Sequence, residues 1–261
     1  MLYSDLLASM TANDAAVSSI TIPEAWLQGR TTYGGLTAAL SLKAAQRLVG
    51  DVPVRTAQVA FVGPVGGTVE FVPTLLRQGK NTAFVRVSAL VDGAVMAESI
   101  FVFGKARESS LSFQNLTMPD VPHAEELPSF FAADRRPNFS RQFNVKQAIG
   151  DPPVSGSENP SIGLWLRNLD EAMPQDAASV LAIADCPPPA AMSLFKEPAP
   201  SSSMTWMAEF LTDEVTTPDR WWFALHTAQT AADGYSSQSM RLWNSEGRPI
   251  LVGRQTVAVF V

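Results

Sequence analysis

The chain of 261 residues carries a formal net charge of −6 at pH 7, is 46% hydrophobic and 17% charged, and contains a single cysteine, Cys186. This balance fits a folded globular protein, as one large domain or two of ordinary size, and excludes a disordered chain. It also excludes a disulfide framework and a cysteine-only metal cage, and the dispersed negative charge supplies no basic stripe for nucleic acid.

The N-terminal stretch MLYSDLLASM lacks the basic start and apolar core of a signal peptide. No apolar run reaches the roughly 18 residues a bilayer span needs. The expectation is a cytoplasmic protein without a membrane span. A strand is predicted near Ala15–Ile20, followed by GRTTYGGLTAALSLKAAQ, whose small and apolar residues predict a helix from Gly34 to Val49. Few polar residues interrupt that helix, so other structure should wrap it. Extended runs follow at Val54–Val62, Thr68–Arg77, Ala83–Val91 and Val95–Phe103, with Asp92-Gly93 as the turn of a hairpin.

Ala106 to Pro137 reads as a connection, broken by Pro119, Pro122, Pro128 and Pro137. Beyond it, strands are predicted at Ser140–Gln147 and Ile162–Asn168, then a helix from Asp176 to Ala184. The proline-rich run Cys186–Ser203 is expected to hold no regular element. Extended runs return at Met204–Thr212, Trp221–Ala228, Ser237–Asn244 and Ile250–Val259. The order of elements is thus written twice. VRVSALVDGAVMAESIFVF and MRLWNSEGRPILVGRQTVAVF read as two copies of one hairpin, which suggests a tandem duplication. One helix followed by several antiparallel strands, repeated, is an α+β layout in which strands curl around each helix.

Gly29 and Gly34 have the outer spacing of a phosphate loop, but Gly35-Leu36 stand where that motif needs Lys and Ser or Thr. The ordinary reading is that Gly34 and Gly35 allow close packing at a sharp turn. A functional reading adds the free N–H groups of the first helical turn, which suit an oxyanion or a thioester carbonyl.

RTTYGGLTAAL opening the central helix, FVGPV on the next strand and the run Trp206–Val261 resemble the type II acyl-CoA thioesterases, which have a double hotdog fold. The resemblance implies an N-terminal hotdog at 1–106, a linker at 107–137 and a C-terminal hotdog at 138–261. It implies hydrolysis of an acyl-CoA thioester to a carboxylic acid and coenzyme A, with no metal and no organic cofactor. It also implies a homodimer or larger oligomer. Family members place an Asp, a Thr or Ser, and a Gln around one water. Carried onto this chain, the Gln falls on Gln255 and the hydroxyl on Thr227, while Thr205 stands where the Asp belongs. Tyr33, Gly34 and Gly35 are the expected oxyanion or substrate-binding residues.

A threonine can orient a water but cannot take its proton at neutral pH. Two carboxylates are candidates to replace the family Asp. Glu209 is roughly 13 Å along the strand from Thr205, and Asp185 ends the second helix. Without a carboxylate the chain would be an acyl-CoA-binding protein that has lost hydrolysis. An enoyl-CoA hydratase is a weaker alternative, because its Asp-x4-His pattern is absent. His226, next to Thr227, is expected on the opposite face of its strand as a structural or exposed residue. His123 lies in the connection, and two separated histidines make no zinc motif. Cys186 is expected to be a small packed or loop residue. Five of the six tryptophans (Trp165, Trp206, Trp221, Trp222 and Trp243) fall in the second half. They are expected either to pack the core and a dimer contact or to wall an acyl tunnel.

Overall fold

The computed structural model describes residues 1–13, 15–131 and 136–261; the part of the expected linker at 132–135 lies outside them. The first half runs α1 (Tyr3–Ser9), β1 (Thr11–Ala12), β2 (Ser18–Thr21), β3 (Leu27–Gln28), β4 (Thr31–Thr32), α2 (Gly34–Val49), β5 (Val54–Phe61), β6 (Thr68–Gln78), β7 (Thr82–Val91) and β8 (Ala94–Gly104). The second half runs β9 (Phe143–Gly150), β10 (Ser161–Asn168), α3 (Ala177–Ala184), β11 (Ser201–Phe210), β12 (Trp222–Ala232), β13 (Tyr235–Asn244) and β14 (Pro249–Val259).

Among the described residues, 12 strands form one sheet in the order β1-β2-β6-β7-β8-β5-β11-β14-β13-β12-β10-β9. The repeated hairpins are β7–β8, joined by the two residues Asp92-Gly93, and β13–β14, joined by the four residues Ser245 to Arg248. The halves meet where β5 pairs antiparallel with β11, Val59 opposite Trp206 and Ala60 opposite Thr205. The two central helices, α2 and α3, pack against each other and lie on one face of this sheet, hereafter the inner face. This is the double hotdog architecture.

α2 is rich in alanine and leucine, strong helix formers. It is buried almost continuously from Gly35 to Ala45, Lys43 being the interruption. It ends at Gly50, whose φ of 65° few residues other than glycine adopt. α3 starts one residue later than predicted because Asp176 is its N-cap, accepting the Ser179 N–H at 2.9 Å. Lys43 on α2 forms a 2.6 Å ion pair with Asp176, tying the two helices together.

Three features depart from the sequence reading. A short helix, α1, precedes the first strand and packs Tyr3 and Leu6 into the core. The run Cys186–Ser203 is not wholly irregular: after its three consecutive prolines a 3₁₀ helix forms at Ala190–Leu194, and β11 begins at Ser201. Ser140 belongs to a 3₁₀ turn, Asn138–Gln142, so β9 starts three residues later than expected.

The outer face of the second half carries its own apolar cluster, Trp165, Trp221, Phe223 and Trp243, covered by Met118, Val121 and Leu127 of the connection. Indole N–H groups fasten this strap. Trp165 donates to the Pro122 carbonyl at 2.9 Å, Trp243 to the Leu116 carbonyl at 3.3 Å, and Trp221 to the Glu125 carboxylate at 3.1 Å. These three tryptophans therefore pack beneath the connection instead of walling a tunnel beside the helices. Trp206 and Trp222 belong to the inner core.

Candidate active site

α3 ends with its C-cap, Asp185, pointing at the N-terminal end of α2 from the other half of the chain. The Gln255 amide donates to Asp185 Oδ1 at 2.9 Å. The backbone N–H of Gly35 also faces the carboxylate and favours its ionised form. A Cβ on Gly34 would lie 2.7 Å from Asp185 Oδ2 and 3.2 Å from the Phe61 ring, so only glycine admits the carboxylate here. A Cβ on Gly35 would strike the Tyr33 ring at 2.7 Å. The two glycines thus do different things: the first makes space for Asp185, the second for a neighbouring aromatic ring.

Tyr33 is buried, stacked on Phe139 with ring centroids 4.1 Å apart, and its hydroxyl donates to the Ala182 carbonyl at 2.9 Å. That bond ties the entrance of α2 to the last turn of α3. Burial holds the phenol well above its ordinary pKa, so it stays a protonated donor.

Asp185 remains partly exposed, although protein atoms surround its carboxylate closely. That desolvation pushes its pKa up to about 7, against the opposing pull of the hydrogen bond from Gln255 and of the Gly35 N–H. A carboxyl titrating near neutrality can both take and return a proton at physiological pH.

The inner face of the second half adds two polar residues. Gln238 lies opposite Gln255 on adjacent strands and donates to its Oε1 at 2.7 Å, while accepting the Ala190 N–H at 2.8 Å. His226 is 1% exposed on the same face. It faces the Ala184 carbonyl, and desolvation lowers its pKa to about 4, so the ring is neutral.

The residues expected to share one water do not all meet. Gln255 is on the inner face beside Asp185. Thr227 alternates with His226 on β12 and shares the outer face with Phe223 and Leu225, where its hydroxyl lies 3.1 Å from that of Ser161. The face assignment of the neighbours is therefore the reverse of the one expected: His226 points inward and Thr227 outward. Thr205 is exposed on the outer face opposite Thr256, while the next residue, Trp206, turns inward opposite Gln255. A bulge between Ser203 and Thr205 sets this phase. Glu209 is also exposed. Cys186 is buried, and Asp185 and burial together keep its thiol protonated. No group of His, Cys, Asp and Glu suited to a metal ion occurs among the described residues.

Residues 22–104 match the family model of the acyl-CoA thioesterase N-terminal domain, and residues 117–259 match that of the acyl-CoA thioesterase C-terminal domain. The chain belongs to the acyl-CoA thioesterase family. Solved structures of the same architecture include a conserved protein of unknown function with a hot dog fold from Alicyclobacillus acidocaldarius. It is 23% identical, with a TM-score of 0.87 and coverage of 98% of this chain and 97% of that one. A putative thioesterase from Novosphingobium aromaticivorans is 25% identical over 97% of this chain and 99% of its own, with a TM-score of 0.81. An acyl-CoA thioesterase II from Mycobacterium marinum is 17% identical, with a TM-score of 0.79 and coverage of 98% and 97%. No curated protein matches the chain. The family and fold implied by RTTYGGLTAAL and FVGPV are those found.

Proposed function

We propose that the protein hydrolyses acyl-CoA thioesters, with Asp185 as the general base in place of the carboxylate missing at Thr205. The observation that carries this reading is the Asp185–Gln255–Gly35 cluster, a closely surrounded carboxyl on a partly exposed residue, its pKa pushed up to about 7, at the N-terminus of a helix. Asp185 takes a proton from a water whose oxygen attacks the thioester carbon. The carbonyl electron pair moves onto oxygen, where first-turn N–H groups of α2 not used within the helix stabilise it. Collapse expels the coenzyme A sulfur, and protonated Asp185 returns the proton to it. Gln255 orients the base, and Tyr33 fixes the helix end that carries the N–H groups. Gly34 and the Phe61 ring, both partly exposed beside the carboxylate, mark the side from which the thioester arrives. Thr205 and Thr227 take no part in this scheme.

No metal or organic cofactor enters these steps. The reading extends to a cytoplasmic enzyme, consistent with the lack of any helix among the described residues long and apolar enough to cross a membrane. It also extends to a homodimer formed through the uncovered outer face of the first half, where Leu76 and Phe84 are exposed.

The test is thiol release from short, medium, branched and aryl acyl-CoAs by wild type, Asp185→Asn and Gln255→Ala. The expected result is hydrolysis of at least one substrate by wild type and its loss in Asp185→Asn. Binding without release in wild type would replace hydrolysis with the acyl-CoA-binding reading. Undiminished release in Asp185→Asn would move the chemistry elsewhere.

A further inference from the structure

Two amides and one carboxylate form a line across the inner face, and its two ends are fixed by chemistry. At one end is the Ala190 N–H, which can only donate. It is the first backbone donor after Pro187, Pro188 and Pro189, which have none. At the other end is Asp185, which when ionised can only accept. Between them the bonds run from Ala190 N to Gln238 Oε1 at 2.8 Å, from Gln238 Nε2 to Gln255 Oε1 at 2.7 Å, and from Gln255 Nε2 to Asp185 Oδ1 at 2.9 Å. With both ends fixed, each amide has one orientation that satisfies both of its neighbours. Gln238 and Gln255 are 1% and 4% exposed, so bulk water does not compete for these bonds.

We propose that Gln238 is a positioning residue of the thioesterase site: by donating to Gln255 Oε1 it fixes which end of that amide faces Asp185 and keeps an N–H on the carboxylate. Without Gln238 the Gln255 amide can rotate by half a turn and present its oxygen to Asp185. Two acceptors then face each other, and the carboxyl holds its proton to higher pH. Gln238 itself is only 1% exposed, so its part is played through Gln255. The inference rests on the Asp185 reading for its effect on hydrolysis, but its effect on the carboxyl can be measured without any substrate.

The experiment uses the full-length chain with Gln238→Met, which keeps length and removes the amide, and Gln238→Glu. Asp185 is titrated by carbon-13 NMR of its side-chain carboxyl, and kcat and KM for an acyl-CoA hydrolysed by wild type are followed against pH, with thermal melts as control. Gln238→Met is expected to raise the Asp185 midpoint and lower kcat about tenfold, the scale of one lost neutral hydrogen bond, with KM unchanged. Gln238→Glu is expected to be active only where Asp185 is ionised and the introduced carboxyl, kept protonated to higher pH by burial, still donates to Gln255 as the amide does. It should lose activity as it ionises, giving a falling alkaline limb that wild type lacks. If Gln238→Met does not fold, the acid and alkaline forms of Gln238→Glu make the same comparison. An Asp185 midpoint unmoved in a folded variant overturns the proposal. If instead Asp185→Asn hydrolyses as fast as wild type, the Asp185 mechanism fails while the titration still decides the role of Gln238.

Discussion

Asp185 Oδ2 lies 2.7 Å from the position a Cβ would take on Gly34, joining the C-cap of one half's helix to the first residue of the other's. Gly34→Ala must therefore push the carboxylate or the Phe61 ring aside. The expected cost is about 1–3 kcal/mol of stability, typical of overpacking. A displaced base should also lower kcat about 10- to 100-fold. Chemical denaturation and thiol-release kinetics on the same preparation check both numbers; a fall in stability without a fall in kcat would separate Asp185 from catalysis.

In the proposed mechanism the raised pKa of Asp185 sets the pH dependence of hydrolysis. Since the base must be ionised to accept a proton, kcat/KM should rise with pH through a midpoint near 7 and level off above it. A profile already flat from pH 5 upward would mean that another group is the base.

Stability should carry a second pH signature, because Asp185 and His226 titrate in opposite senses. Asp185 has a folded pKa near 7 against an unfolded value of 3.8, so the folded state binds the extra proton between these values. Its contribution therefore falls as pH rises from about 4 to 7. His226 has a folded pKa near 4 against 6.5, so here the unfolded state binds the extra proton. Its contribution rises over about pH 4 to 6.5. The two slopes oppose each other, with that of Asp185 softened by its partial exposure. Asp185→Asn is expected to leave a clear rise of unfolding free energy from pH 4 to 6.5, where wild type is comparatively flat. Denaturant midpoints across that range measure it, and parallel curves for the two proteins would contradict the assignment.

Tyr33→Phe removes the hydrogen bond that joins the entrance of α2 to Ala182 but leaves the stacking on Phe139 intact. The expected loss is about 1 kcal/mol. Gly35→Ala, whose Cβ would meet the confined Tyr33 ring, should cost more. Thermal melts of the two variants should fall in that order.

The strap makes its own prediction. Trp165→Ala removes a buried indole and the bond to the Pro122 carbonyl, at a cost of about 3–5 kcal/mol. Loss of its seat should also expose the connection around Pro122 to limited proteolysis, at a site protected in wild type.

Much of the fold could be read from residue order because hotdog strands obey local rules. Alternation in Val85–Val91, the Asp92-Gly93 turn and the small-residue run after Gly34 each report local structure, and α2 begins and ends where the residues predict. The site was less legible, for a geometrical reason. Asp185 and Gly35 are 150 positions apart in sequence, and the carboxylate reaches the glycines through the packing of α2 on α3. Pattern along one strand cannot show that. The phase of β12 was misread because alternation alone does not say which face is inner. The burial of His226 and the covering of Phe223 by the strap decide it. Gln238 sits in a run of small polar residues, SSQS, that looks like a solvated strand. Its signal lies across the sheet, in a register that brings it opposite Gln255.

The duplication gives the molecule two comparable outer sheet surfaces, and the tryptophan-fastened strap makes them unequal. The second surface is already occupied by the chain's own connection. In the homodimer proposed above, the strap would therefore act as a valence limit, leaving one outer surface for face-to-face contact and closing the pair on a two-fold axis instead of extending it into a stack.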